Sequence, residues 1–350
     1  MVQESARRQV IFWLATGAFL VFLMVVIGGI TRLTGSGLSM VDWNLIMGAI
    51  PPLNETEWLK AFQAYQLYPE YQIQSSKFGL AEFQSIFYWE YFHRLLGRLM
   101  GLIFIIPFIY FIITKKITGT LILKLVFLLF LGGLQGFLGW YMVKSGLVDN
   151  PHVSHFRLSL HLGTAFVTFA YIWWLILSLI LPNRLSIPFR TIKHFTIAFL
   201  FILLIQIIYG GFVAGLKAGY LYNTFPKMGD QWIAEGVFAL EPLYLNFIEG
   251  GAGVQFIHRY IAILIFFFEL TFFFISYRVQ MGVQLKNAMI MGMIVVLTQE
   301  LLGIFTLIFA VPLSLGILHQ IGAFLLLMVL IYILRLSAFE ALPISNGASQ

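Results

Sequence analysis

Eight runs of about 20 mostly apolar residues set the limits on this fold, near 10–30, 92–113, 121–143, 157–181, 194–216, 255–277, 288–311 and 314–336. Coiled as a helix, a run of that length spans the hydrocarbon core of a bilayer. The runs are continuous and do not alternate, which predicts helices and not a barrel. Of 350 residues, 60% are hydrophobic and only 10% charged, too few charges to cover a water-soluble body of this length. The expected fold class is an all-α membrane protein with eight transmembrane helices.

The net charge of +6 is not a nucleic-acid signal, because the basic residues lie between spans and form no single patch. They predict topology instead. Arg7 and Arg8 precede the first span; Lys115, Lys116 and Lys124 join the second and third. Arg184, Arg190 and Lys193 join the fourth and fifth, and Arg278 and Lys286 the sixth and seventh. The long loops after spans one and five instead carry Asp42, Glu55, Glu57, Glu70 and Glu82, and Asp230, Glu235, Glu241 and Glu249. The positive-inside rule then expects both termini in the cytoplasm. The chain has no cysteine, so no disulfide, thiolate ligand or iron–sulfur cluster is possible. The first apolar run has no convincing small-residue cleavage site and reads as a retained span. There is no long Arg/Ser-rich leader either, and a bacterial inner membrane is the simplest location.

Features recur in one order. The first span ends in GGITRLTGSGLS (Gly28 to Ser39) and the fifth in GGFVAGLKAG (Gly210 to Gly219). Each is followed by a long loop and a span headed by His-Arg, at His93-Arg94 and His258-Arg259. Next come GLQGFLG around Gln135 and TQELLG around Gln299, then spans bearing His161 and His319. This predicts a duplication, 1–182 and 183–350, as tandem four-helix bundles. An even number of spans per half makes the repeats parallel, related by a pseudo-twofold along the membrane normal. The loops 31–88 and 217–251, with Trp43, Trp58, Trp89, Trp232 and the Pro51-Pro52 pair, are expected to fold as short helices over the outer face.

In this topology His93, His161, His258 and His319 open four spans that run inward from the outer side, each within its first two turns. That places them roughly 5–10 Å below the outer interface. Facing helices with imidazoles at one depth can clamp a haem iron from both sides. The repeat predicts two such sites, His93 with His161 and His258 with His319. A single intramembrane histidine is ordinarily a hydrogen-bonded packing residue; four at matching positions point to function, because ionisable groups in lipid are costly. Zinc fits less well, since no carboxylate or cysteine completes a tetrahedral set in each half.

Arg94 and Arg259 suit either of two tasks, holding haem propionates through paired hydrogen bonds or reaching to lipid headgroups. Arg32, Arg98 and Lys217 are weaker candidates for the first. Glu90 lies three residues before His93 and projects from the same helix face, whereas the second half has Gln255 at that offset from His258. An acid at one site and an amide at the other fits proton movement or charge stabilisation at the first alone; capping of the helix start is the rival role for Glu90. Glu269 and Glu300, inside spans six and seven, suit proton carriage or pairing within the bundle. His152, His155 and His194 read as ordinary polar residues.

The motifs GGITRLTGSGLSMVDW (Gly28 to Trp43), FYWEYFHRLLGR (Phe87 to Arg98), SLHLGTAF (Ser159 to Phe166), IHRY (Ile257 to Tyr260) and LHQIGA (Leu318 to Ala323) resemble the haem A synthase family over essentially the whole chain. The resemblance implies tandem four-helix bundles. It also implies oxidation of the C8 methyl of haem O to a formyl by successive hydroxylations, giving haem A for cytochrome oxidase. By resemblance, His258 and His319 would ligate a resident haem b, His93 and His161 would flank the substrate haem, and Glu90 would be the acid required in that pocket. Haem O synthase and cytochrome oxidase assembly factors are the implied partners, together with membrane lipid. Some relatives carry a loop cysteine pair linked to electron input. This chain resembles the cysteine-free type, which leaves its electron donor open. Rival readings are a dihaem membrane cytochrome b and a transporter; haems at two depths are usual for the first, and the second would carry no haem.

Overall fold

The computed structural model describes residues 2, 4–41, 50–146, 153–181 and 189–339. Asp42, Trp43, His152, Arg184 and the expected 182/183 boundary lie outside the described residues. The helices are α1 (Arg7–Leu33), α2 (Glu55–Gln66), α3 (Pro69–Gln74), α4 (Leu80–Ile113), α5 (Thr120–Lys144), α6 (His155–Ile180), α7 (Arg190–Gly215), α8 (Gly251–Tyr277), α9 (Val283–Ile308) and α10 (Leu313–Phe339). Eight of them, all but α2 and α3, are long and apolar enough to cross a bilayer. Their apolar side chains, such as Phe12, Phe19, Ile106, Phe201 and Phe274, point outward over the whole molecule. Such a surface is a liability in water and is what hydrocarbon requires. The protein is a multi-pass, all-α membrane protein.

Helix neighbours follow a pattern. α1 packs on α4, α4 on α5, α5 on α6, and α6 returns to α1. In the same way α7 packs on α8, α8 on α9, α9 on α10, and α10 returns to α7. Between these rings of four, α6 meets α7 and α10, and α1 meets α10. Small residues allow the closest approach, as expected where lipid supplies no hydrophobic drive between helices. A Cβ at Gly211 would lie 2.4 Å from Ser159 Oγ, and one at Gly215 would lie 2.4 Å from His155 Cβ. Two polar clasps cross the same seam. Arg32 at the end of α1 donates to Ala214 O (2.7 Å) and Gly215 O (3.0 Å), filling orphan carbonyls at the end of α7. Gln320 of α10 donates to Val25 O of α1 (3.1 Å).

One boundary departs from expectation. α4 begins at Leu80, not near residue 92, so His93 lies almost four turns into its helix, whereas His161, His258 and His319 lie about two turns into theirs. The extra turns exist because Phe83, Ile86, Phe87 and Tyr91 repeat at helical spacing and bury one stripe against Trp58 and Tyr65 of α2 and Met40. The Glu82 carboxylate accepts from Gly79 N (3.0 Å) and starts the helix. Phe83 is fully buried in this extramembrane layer, worth about 1.5–3 kcal/mol for a side chain of its type. The loop after α7 makes the matching layer with short 3-10 turns at Ala218–Tyr220, Glu235–Phe238 and Leu243–Phe247. Both loops fold as short helical segments over the ends of the spans, as expected.

Candidate functional site

A single cavity of about 1350 Å³ runs between the two rings and is lined by His93, His161, His258 and His319 together. That exceeds the roughly 300–1,000 Å³ typical of a pocket for one small molecule. His93 on α4 lies within electrostatic range of His161 on α6, and His258 on α8 of His319 on α10, the two pairs expected from the repeat.

Each imidazole is backed by a glycine from the neighbouring helix. A Cβ built on Gly28 would stand 3.3 Å from His93 Cε1, and one on Gly210 would stand 3.4 Å from His258 Cε1. The matching distances are 3.4 Å from Gly139 to His161 and 2.9 Å from Gly303 to His319. A Cβ would collide with the ring at Gly303, press on it at Gly28, and just touch it at Gly139 and Gly210. All four Nδ1 atoms are buried without a hydrogen-bond partner. Unsatisfied buried polar atoms are rare, and these four are closed off from the cavity, so they are not the nitrogens that a ligand in it would meet. Among the described residues no group of three or more His, Cys, Asp or Glu could hold a bare metal ion. Two imidazoles per site suffice for a haem iron, whose other ligands are the porphyrin's own. The residues therefore fit haem. In the second half, Gln206 donates to His258 O (3.0 Å) and Gln299 to His319 O (2.9 Å), tying each histidine's backbone to a neighbouring helix.

Glu90 does not cap a helix start, since α4 begins ten residues earlier. Its Oε2 accepts from Met40 N (2.8 Å) and Ser39 Oγ (2.7 Å), and its Oε1 from Arg94 (2.5 Å). Arg94 also donates to Met40 O (3.0 Å). The acid and the arginine thus hold the first turn of the loop after α1. Gln255 and Arg259 do the same for the second loop: both donate to Tyr222 O, and Arg259 also reaches Thr224 O (2.7 Å). Glu90, Arg94, Gln255 and Arg259 all border the cavity. Glu300 borders it as well, while Glu269 lies apart in an apolar setting near Gly292 with neither oxygen partnered. Of the remaining histidines, His155 is buried and bonds Ile248 O (2.7 Å), and His194 is exposed.

Sequence reasoning missed the backing glycines, although Gly28 and Gly210 recur at matching places in the two halves. It also missed Glu70, counted only as a loop charge. Glu70 is 6% exposed, borders the cavity, and has a buried Oε2 with no hydrogen bond. Burial, reinforced by the nearby Glu90, pushes its carboxyl up to about 8. Burial also raises the adjacent Tyr65 hydroxyl.

Eight apolar spans around an internal cavity lined by four glycine-backed histidines define a membrane protein whose site has the residues to hold haem. The match to the COX15-CtaA family, cytochrome oxidase assembly protein, extends over residues 11–331, and the chain belongs to that family. It is 49% identical to the Heme A synthase of Flavobacterium johnsoniae, across 95% of this chain and 98% of that one. It is 44% identical to the Heme A synthase of Nitrosospira multiformis (92% and 91% covered) and 41% identical to that of a Wolbachia of Brugia malayi (93% and 96%).

Proposed function

We propose that this protein oxidises the C8 methyl of haem O to a formyl, giving haem A for cytochrome oxidase. The observation that carries the reading is the set of four cavity-lining imidazoles, each backed by glycine, in a chain of this family. Residues 1–182 form the substrate bundle, with His93 and His161 flanking haem O. Residues 183–350 form the second bundle, related by a pseudo-twofold along the membrane normal, with His258 and His319 holding haem b. Haem b, when bound, supplies one-electron chemistry.

The chain's own part is positioning and exclusion of water. Gln206 and Gln299 fix the backbone at His258 and His319, and Arg32 locks the end of α7 against α1. The Glu90–Arg94 couple pins the loop that roofs the first site and places a fixed charge pair at its edge. Arg94 and Arg259 border the cavity and offer guanidinium to propionates. The farnesyl tail of haem O lies between helices facing lipid. The protein sits in a bacterial inner membrane with both termini cytoplasmic and the histidines toward the periplasm, and receives substrate from haem O synthase. A dihaem electron carrier is the weaker reading: it gives no reason for an acid, Glu90, at the offset from His93 where Gln255 stands from His258, and the relatives are named for synthesis of haem A.

Expression together with a haem O synthase, followed by extraction and chromatography of the haems, tests this. Haem A is expected from the wild type and not from His93→Met. Haem O left unconverted by the intact protein would overturn the reading.

A further inference from the structure

Two carboxylic acids border the first half of the cavity, and their surroundings differ. Glu90 has both oxygens occupied by Met40 N, Ser39 Oγ and Arg94. Glu70, carried on α3 in the layer above, has a buried Oε2 that accepts nothing, although the side chain lies within electrostatic range of Glu90. Like charges sharing a dry site drive one of the pair to keep its proton, and the less well supplied with donors is the one that does. The charged and titratable groups around Glu70 are Tyr65 of α2, Glu90 with its partner Arg94 on α4, and Lys217 just after α7. Tyr65 is fully buried, and its hydroxyl lies close to both Glu70 and Ser75. Lys217 borders the same cavity and adopts φ 53, a left-handed backbone that its counterpart in the first half, Gly35, adopts at φ 69. A lysine held where glycine is the easy choice is the kind of strain that accompanies a functional site.

We propose that Glu70 is the proton-carrying acid of this cavity, able to pass its proton to a group bound there, while Glu90 serves as a fixed anion tied to Arg94. The inference rests on the proposed function for its purpose, but the protonation of Glu70 does not. With its carboxyl pushed up to about 8, Glu70 stays neutral below that pH and ionises above it.

The test uses the purified full-length protein. Infrared difference spectra between pH 6 and pH 10 should show a carboxylic-acid carbonyl band that disappears with a midpoint near 8. The band should lose its Glu70 component in Glu70→Gln, where other buried carboxyls such as Glu269 still absorb, and be undiminished in Glu90→Gln. Lys217→Met, which leaves Glu70 untouched, should move the midpoint upward, because the ammonium favours the ionised form. A band unchanged in Glu70→Gln, or a midpoint indifferent to Lys217→Met, overturns the assignment. Haem O turnover in the wild type should fall as pH passes 8, and in Glu70→Gln it should be several-fold slower and flat over that range. An unchanged pH profile in Glu70→Gln would also sink the proposal. If the wild type makes no haem A while the band titrates as described, the proposed function fails and the protonation of Glu70 stands.

Discussion

Phe166 and Phe324 face each other with ring centroids 4.1 Å apart, and each lies five residues beyond a cavity histidine, His161 and His319. Both rings stand at the same offset from their histidines, and they meet on the seam between the two rings of helices. Phe324 also packs edge-on to Phe22 of α1 and Phe169 of α6.

Phe324→Ala removes a ring that is 1% exposed at the centre of this seam. Truncating a buried Phe costs about 3–5 kcal/mol. A lower melting temperature in detergent, with both halves losing helicity together, is expected. An unchanged melting temperature would show that the seam is not a shared core.

Gly303→Val should displace the His319 ring, since even a Cβ there would stand 2.9 Å from Cε1. The variant is expected to lose the low-spin haem b spectrum as completely as His258→Ala or His319→Ala. Gly28→Ala, with 3.3 Å available beside His93, should be milder and leave that spectrum intact. Optical spectra of the purified variants decide both, and a haem b spectrum surviving both histidine replacements would place the resident cofactor elsewhere.

Glu90 and Arg94 form a buried pair, with side chains 5% and 8% exposed. Removing one partner of such a pair costs about 3–5 kcal/mol, because the other charge is left uncompensated. Glu90→Gln and Arg94→Met should therefore each destabilise the roof, and the double variant should be less unstable than the sum of the two. A double-mutant cycle on thermal unfolding measures the coupling; strict additivity would show that the two side chains act independently.

Glu70 should also make stability depend on pH. Its carboxyl moves from 4.5 in an ordinary setting to about 8 in the folded protein. Between those values the folded state binds more protons than the unfolded one, so stability falls as pH rises through that window. Glu70→Gln should remove this component. Melting temperatures from pH 5 to 9 check the sign, and a wild type that gains stability across the window at Glu70's expense would refute it.

The eight spans were legible because a bilayer demands length and apolarity, and both are local properties of a sequence. The pairing of His93 with His161 and of His258 with His319 was legible because each motif occurs twice in the same order. The start of α4 was misplaced because residues 80–91 are amphipathic: their helix is paid for by contacts with α2, and no span-length pattern reports that. Glu70 carried no signal at all. Its burial depends on α3 packing near Tyr65 of α2 and Glu90 of α4, a tertiary event that a loop charge does not announce. The tasks of Arg94 and Arg259 were framed around ligand or headgroup, yet both guanidinium groups bond loop carbonyls, whose positions only the folded chain supplies.

Because α4 is continuous from Leu80 to Ile113, Phe83 and His93 ride on one rod about 15 Å apart. A tilt imposed on its upper end by repacking around Trp58 or Tyr65 is delivered to the imidazole as a sideways shift against Gly28. Damage to chemistry in this protein can therefore originate in a small core outside the spans, about 15 Å from the imidazole, and such lesions would masquerade as defects of the site itself.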